Sequence, residues 1–251
     1  LLKLLNRKSV PILFIIFVPV KAKIDDIKVI AFDADDTLWD CQSHFETVEN
    51  QLYEMIGPWT DNPAHELLEV ETGNMQDLGY GSKAFTLSVL QTAITVSRGR
   101  ITATQLGTLL DAGKGLLHLP ATPLPEVKET LQRLHDEGKY RLVVFTKGEL
   151  QDQENKLHRS GLAPYFEHVE ITSNKTSKEF LALCRHLDVR PEHLLMVGNS
   201  FRSDIAPAIT IGAYAVHIPF HVTWQLEHSE EFEHERVFKI KHLSELFNCI
   251  A

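Results

Sequence analysis

Cysteine is scarce in this chain of 251 residues, and the three that occur, Cys41, Cys184 and Cys249, are odd in number and far apart. That excludes a disulfide framework and a zinc site built from paired cysteines, and it makes a reducing cytoplasm the expected compartment. Positive charge is also short: 25 Lys and Arg face 34 Asp and Glu, for a formal charge of −9. A nucleic-acid partner is not expected, because binding a phosphate backbone needs a basic face. Internal repeats and low-complexity tracts are missing, so neither a solenoid nor a disordered chain fits. No apolar run is long enough to cross a bilayer, and no stable membrane association is expected. The longest, Val10 to Val20, follows Lys3, Arg7 and Lys8 and has the form of a signal-peptide core. Residues 1–23 therefore read as a leader or extension, with export as the alternative if residues 1–22 are a true signal.

What remains alternates. Ile27-Lys28-Val29-Ile30-Ala31-Phe32 is a short β-branched apolar run, and similar runs recur at Tyr140–Phe145, His168–Ile171, Leu194–Val197 and Ala213–Ile218, each after a helix-like stretch. That is the pattern of a parallel sheet in an α/β protein. Between His44 and His118 only helix signals appear. Asp61-Asn62-Pro63 offers a cap with proline at the first helical position, and Thr102-Ala103-Thr104-Gln105 forms a capping box. The expected organisation is a core of residues 24–40 and 119–251 with an all-helical domain of residues 41–118 inserted. The insert returns through the proline-rich Leu119–Pro125.

The chemistry gathers at predicted strand ends. The first strand runs into Asp33-Ala34-Asp35-Asp36-Thr37, and in an open parallel sheet these carboxylates project into the crevice beyond the carboxyl edge. Crowded carboxylates repel unless a cation lies among them, so a magnesium site is the economical solution. The second strand ends in Thr146-Lys147-Gly148, where a hydroxyl, an ammonium and backbone N–H groups precede a helix and suit phosphate oxygens. Lys175 stands just before a capping box at Thr176 and Glu179, and a later strand enters Gly198-Asn199-Ser200, followed by Asp204.

Taken in order, this set resembles the four motifs of the haloacid dehalogenase superfamily. Asp33, Asp35 and Thr37 match the first motif, Thr146 the second, Lys175 the third with Lys178 left open, and Gly198-Asn199 with Asp204 the fourth, where Gly-Asp is usual. The resemblance implies a Rossmann-like core with a helical cap, magnesium, and a small phosphorylated metabolite as substrate. Asp33 would be the nucleophile forming an aspartyl-phosphate and Asp35 the acid and then base. Thr146, Lys147, Gly148 and Lys175 would hold phosphate, and Asp33, Asp35, Asn199 and Asp204 the metal. Dehalogenases of the superfamily generally lack the second Asp, so Asp35 favours phosphate chemistry. A phosphomutase, a phosphonate hydrolase, a dehalogenase or a weakened phosphate-binding protein are the alternatives, the last suggested by Asn199.

Several features have plainer readings. Thr146 serves equally as a helix cap, and the histidines His217, His221, His228, His234 and His242 read as part of a charged solvated face rather than a transition-metal site. Trp39 and Trp224 read as packing, and Gly79-Tyr80-Gly81-Ser82 as either a turn or a loop facing the site. The segments Asp40–Ser43 and Leu119–Pro125 are the expected hinges of a lid. Sequence leaves the oligomeric state open.

Overall fold

The computed structural model describes residues 22–251. The leader expected at residues 1–23 lies almost wholly outside them.

Six strands form one parallel sheet: β1 (Val29–Phe32), β2 (Arg141–Lys147), β3 (His168–Thr172), β4 (Leu194–Gly198), β5 (Tyr214–His217) and β6 (Val237–Lys239), in the order β3-β2-β1-β4-β5-β6. β1 is buried along its whole length. Its side chains alternate between two cores, as the period of a strand requires. Ile30 and Phe32 join Leu142, Val144, Leu131 and Leu134 on one face, while Val29 and Ala31 join Val143, Phe145, Phe180 and Leu183 on the other. This is the α/β, Rossmann-like sheet expected. After β3 the chain recrosses β1 to enter β4, which makes the carboxyl ends of β1 and β4 the switch point where such sheets place their ligands.

Four helices follow β1: α1 (Gln42–Ile56), α2 (Pro63–Leu78), α3 (Ser82–Ser97) and α4 (Ala103–Leu116). They bury a hydrophobic cluster of their own, including Leu52, Ile56, Leu67, Phe85, Val89 and Leu109. Asn62 caps α2 with Pro63 in its first turn, and the Thr102–Gln105 capping box starts α4, both as the sequence implies. The exit and return of this bundle lie side by side: Trp39 bridges Pro123, and the Leu124 N–H donates to the Leu38 carbonyl at 2.9 Å. The core helices are α5 (Val127–Glu137), α6 (Leu150–Ser160), α7 (Ser177–His186), α8 (Ala206–Thr210) and α9 (Leu246–Cys249).

β6 has no counterpart among the strands expected from the sequence. Three residues at a sheet edge are too few to leave a periodic signal among the charges around them. Among the described residues no helix is long and apolar enough to cross a membrane.

Candidate active site

Asp33 follows β1 directly, and its N–H donates to the Val197 carbonyl of β4 at 2.9 Å, which fixes it at the switch point. It is buried, and Lys175 reaches it from the loop before α7. The same ammonium donates to Asp204 Oδ1 at 2.6 Å. One cation is thus shared by two buried carboxylates. Burial pushes Asp33 up to about 7, with the Asp204 charge reinforcing and Lys175 opposing. At Lys175 burial acts downward, yet the two carboxylates outweigh it and hold the ammonium above its ordinary range. The lysine has two partners, whereas the two acids share one cation. Lys178 is exposed, so Lys175 is the lysine the fold brings to Asp33.

The turn after Asp33 spends its carboxylates differently. Asp36, at φ 63°, accepts the backbone N–H groups of Cys41 and Gln42 at 2.8 and 2.9 Å and so starts α1. Asp35 is held by Lys156 at 2.7 and 2.8 Å, by Gln153 Nε2 at 2.7 Å and by the Trp39 indole at 2.7 Å. Burial raises its pKa, but Lys156 and these hydrogen bonds outweigh burial and keep the carboxyl below the usual carboxylate range. Lys156, itself buried, lies 3.5 Å from Asp152 Oδ2.

Beyond β4, Gly198 permits the close approach of Asp204: a Cβ there would lie 2.2 Å from Asp204 Oδ2. That oxygen accepts the Ser200 N–H at 2.9 Å. The Thr37 hydroxyl stands between Asp33 Oδ2 at 3.4 Å and Asn199 Oδ1 at 3.3 Å, able to donate to one at a time. His217 Nε2 donates to the Asn199 carbonyl at 3.0 Å from a buried ring, which corrects its reading as part of a solvated face.

Thr146, buried at the end of β2, lines the same cavity as Asp33, Asp35 and Lys175. Lys147 and Gly148 line it too, but both differ from the expected phosphate cradle. The Lys147 ammonium donates to Glu227 and, at 2.8 Å, to Ser203 Oγ, and the Gly148 N–H is given to the Thr172 carbonyl at 3.1 Å. A bound anion would have to displace those partners.

The expected metal set needs a like correction. Among the described residues no three His, Cys, Asp or Glu side chains gather around one point, because the Asp35 carboxylate is turned to Lys156. What the fold does bring together is Asp33, Asp204 and, through Thr37, the neutral oxygen of Asn199. Two buried carboxylates against one ammonium leave an excess negative charge, and hard oxygen donors of that kind fit a small hard dication.

Sequence reading passed over Lys156, Gln153 and Asp152. The signal was there in their spacing, which puts all three on one face of α6. Glu71, Trp224 and Glu227, which also line the cavity, come from distant segments whose meeting depends on the tertiary fold.

The chain matches the haloacid dehalogenase-like hydrolases over residues 27–212, which is most of its length. It belongs to that family. The hydrolase is 30% identical to a haloacid dehalogenase-like family hydrolase from Xanthomonas campestris, with a TM-score of 0.78 over 90% of this chain and 91% of the other. It is 28% identical over 210 residues to a glyceraldehyde 3-phosphate phosphatase from Methanothermobacter thermautotrophicus, covering 78% of this chain and 88% of the relative. To a phosphoglycolate phosphatase from Vibrio parahaemolyticus it is 29% identical over 239 residues, covering 90% and 97%.

Proposed function

We propose that this hydrolase is a phosphatase that cleaves a small phosphate monoester through an aspartyl-phosphate on Asp33. The observation that carries the reading is the pairing of Asp33, bonded to Lys175, with a second carboxylate two residues on, both lining one cavity of about 150 Å³. The curated relatives named above are phosphatases of small esters, which supports the same chemistry.

In the first step an Asp33 oxygen bonds to phosphorus as the ester P–O bond breaks, and the departing oxygen takes a proton from Asp35. Water then attacks phosphorus, gives its proton back to Asp35, and frees Asp33 and inorganic phosphate. Held by Lys156, Asp35 rests ionised, which suits the second step. The negative charge of an arriving phosphate raises its affinity for the proton that the first step needs. Lys175 and the Thr146 hydroxyl are placed to meet the equatorial oxygens, where charge neutralisation and positioning do most of the work of phosphoryl transfer. Magnesium would be held by Asp33, Asp204 and Asn199 and, when bound, supplies the positive charge that Lys175 alone does not.

The helical bundle α1–α4 forms the outer wall of the cavity through Phe45, Met75 and Phe85, so in this reading it acts as a lid that limits substrate size. The test is hydrolysis of p-nitrophenyl phosphate with and without magnesium, in the wild type and in Asp33→Asn. Magnesium-dependent turnover that the substitution abolishes supports the proposal. Near-normal turnover by a folded Asp33→Asn protein overturns it, and phosphate binding without turnover in the wild type favours a binding protein.

A further inference from the structure

Glu71 lies on α2, away from the carboxylates at the sheet edge, yet it lines the same cavity. It is 93% buried by its 7% relative exposure. Its carboxyl accepts a hydrogen bond from the Trp224 indole at 3.4 Å, and among the described residues no lysine, arginine or histidine pairs with it. The Trp224 ring in turn packs edge-on against Tyr80, with centroids 5.8 Å apart, so the acid is set in an aromatic wall of that cavity.

Three lysines line the cavity, and each is already engaged: Lys147 with Glu227, Lys156 with Asp35 and Asp152, Lys175 with Asp33 and Asp204. No arginine or histidine joins them. A phosphate can draw on Lys175, but a second anionic group at the far end of a substrate would meet Glu71 and no free cation. A buried carboxylate with a single long hydrogen bond is instead an acceptor in want of donors.

We infer that Glu71 selects substrates whose leaving group carries a hydroxyl or ammonium donor and excludes those carrying a carboxylate. The inference rests on the phosphatase reading and deepens it. It also separates the two kinds of named relative, since a glyceraldehyde phosphate presents a hydroxyl where phosphoglycolate presents a carboxylate. Burial holds Glu71 up at about 7, so it is ionised and repels a carboxylate in assays at about pH 8.

The experiment compares kcat/KM for glycerol 3-phosphate, phosphoethanolamine and phosphoglycolate at that pH with magnesium, in the wild type and in Glu71→Gln, with p-nitrophenyl phosphate as the test of phosphatase chemistry. The wild type is expected to prefer at least one donor-bearing ester over phosphoglycolate by about tenfold or more, and Glu71→Gln to bring the pair within about threefold. Circular dichroism checks that the variant is folded, and the wild-type comparison stands without it. Wild-type preference for phosphoglycolate, or a ratio that Glu71→Gln leaves unmoved, overturns the inference while p-nitrophenyl phosphate turnover keeps the phosphatase reading. If no ester is hydrolysed, both fall together.

Discussion

Lys156 grips Asp35 by both carboxylate oxygens, at 2.7 and 2.8 Å, from a helix more than a hundred residues further along the chain. The pair decides the charge of the proposed acid and base, and the lysine reaches it only because α6 follows the strand next to β1.

Lys156→Met is therefore expected to lower kcat by about 10²-fold, because Asp35 loses its orientation. Stability should fall by about 3 kcal/mol, since the buried Asp152 and the partly buried Asp35 are left without their cation. The pH profile gives the sign. Lys156 depresses the Asp35 pKa, so its removal moves the acid limb of phosphoenzyme breakdown, the step that needs ionised Asp35, to higher pH. Phosphoenzyme decay across pH, with kcat and thermal unfolding alongside, checks all three, and an unmoved acid limb of the decay would show that Asp35 is not the titrating base.

Gly198→Ala should act through Asp204. The added methyl carbon would sit 2.2 Å from its Oδ2, so the carboxylate must move, Lys175 loses a partner, and stability falls by about 1–3 kcal/mol. Magnesium affinity should weaken at the same time. Unchanged affinity in an otherwise folded variant would mean that Asp204 lies outside the metal site.

Asn199→Asp should tighten magnesium, lowering the half-saturating concentration by about tenfold, because a charged oxygen replaces a neutral one beside Asp33. A titration of activity against magnesium measures it. An unchanged midpoint would remove Asn199 from the proposed ligands.

Much of this was legible before folding was considered. The strand positions other than β6, the two capping boxes of α4 and α7 and the meeting of Asp33 with Asp204 at one crevice follow from apolar runs and the chemistry that ends them, while Lys175 was pointed to by the family resemblance with Lys178 left open. Asp35 is the instructive exception. Its neighbourhood in sequence suggests a metal ligand, whereas the fold brings Lys156, Gln153 and Trp39 to it. The partners of Lys147 and Gly148 were hidden for the same reason: Glu227 and Thr172 are remote in sequence, and local pattern carries no information about which distant polar group will occupy a donor. β6 escaped notice because three residues are shorter than any period that could announce them.

The most direct test of the mechanism is to mix enzyme and magnesium with a phosphoryl-labelled ester that it hydrolyses, quench in acid within one turnover, and map the labelled peptide. Transient, stoichiometric label on Asp33 is expected, absent in Asp33→Asn and longer-lived in Asp35→Asn, where water is no longer activated. Label on another residue, or full turnover with none on Asp33, would contradict it.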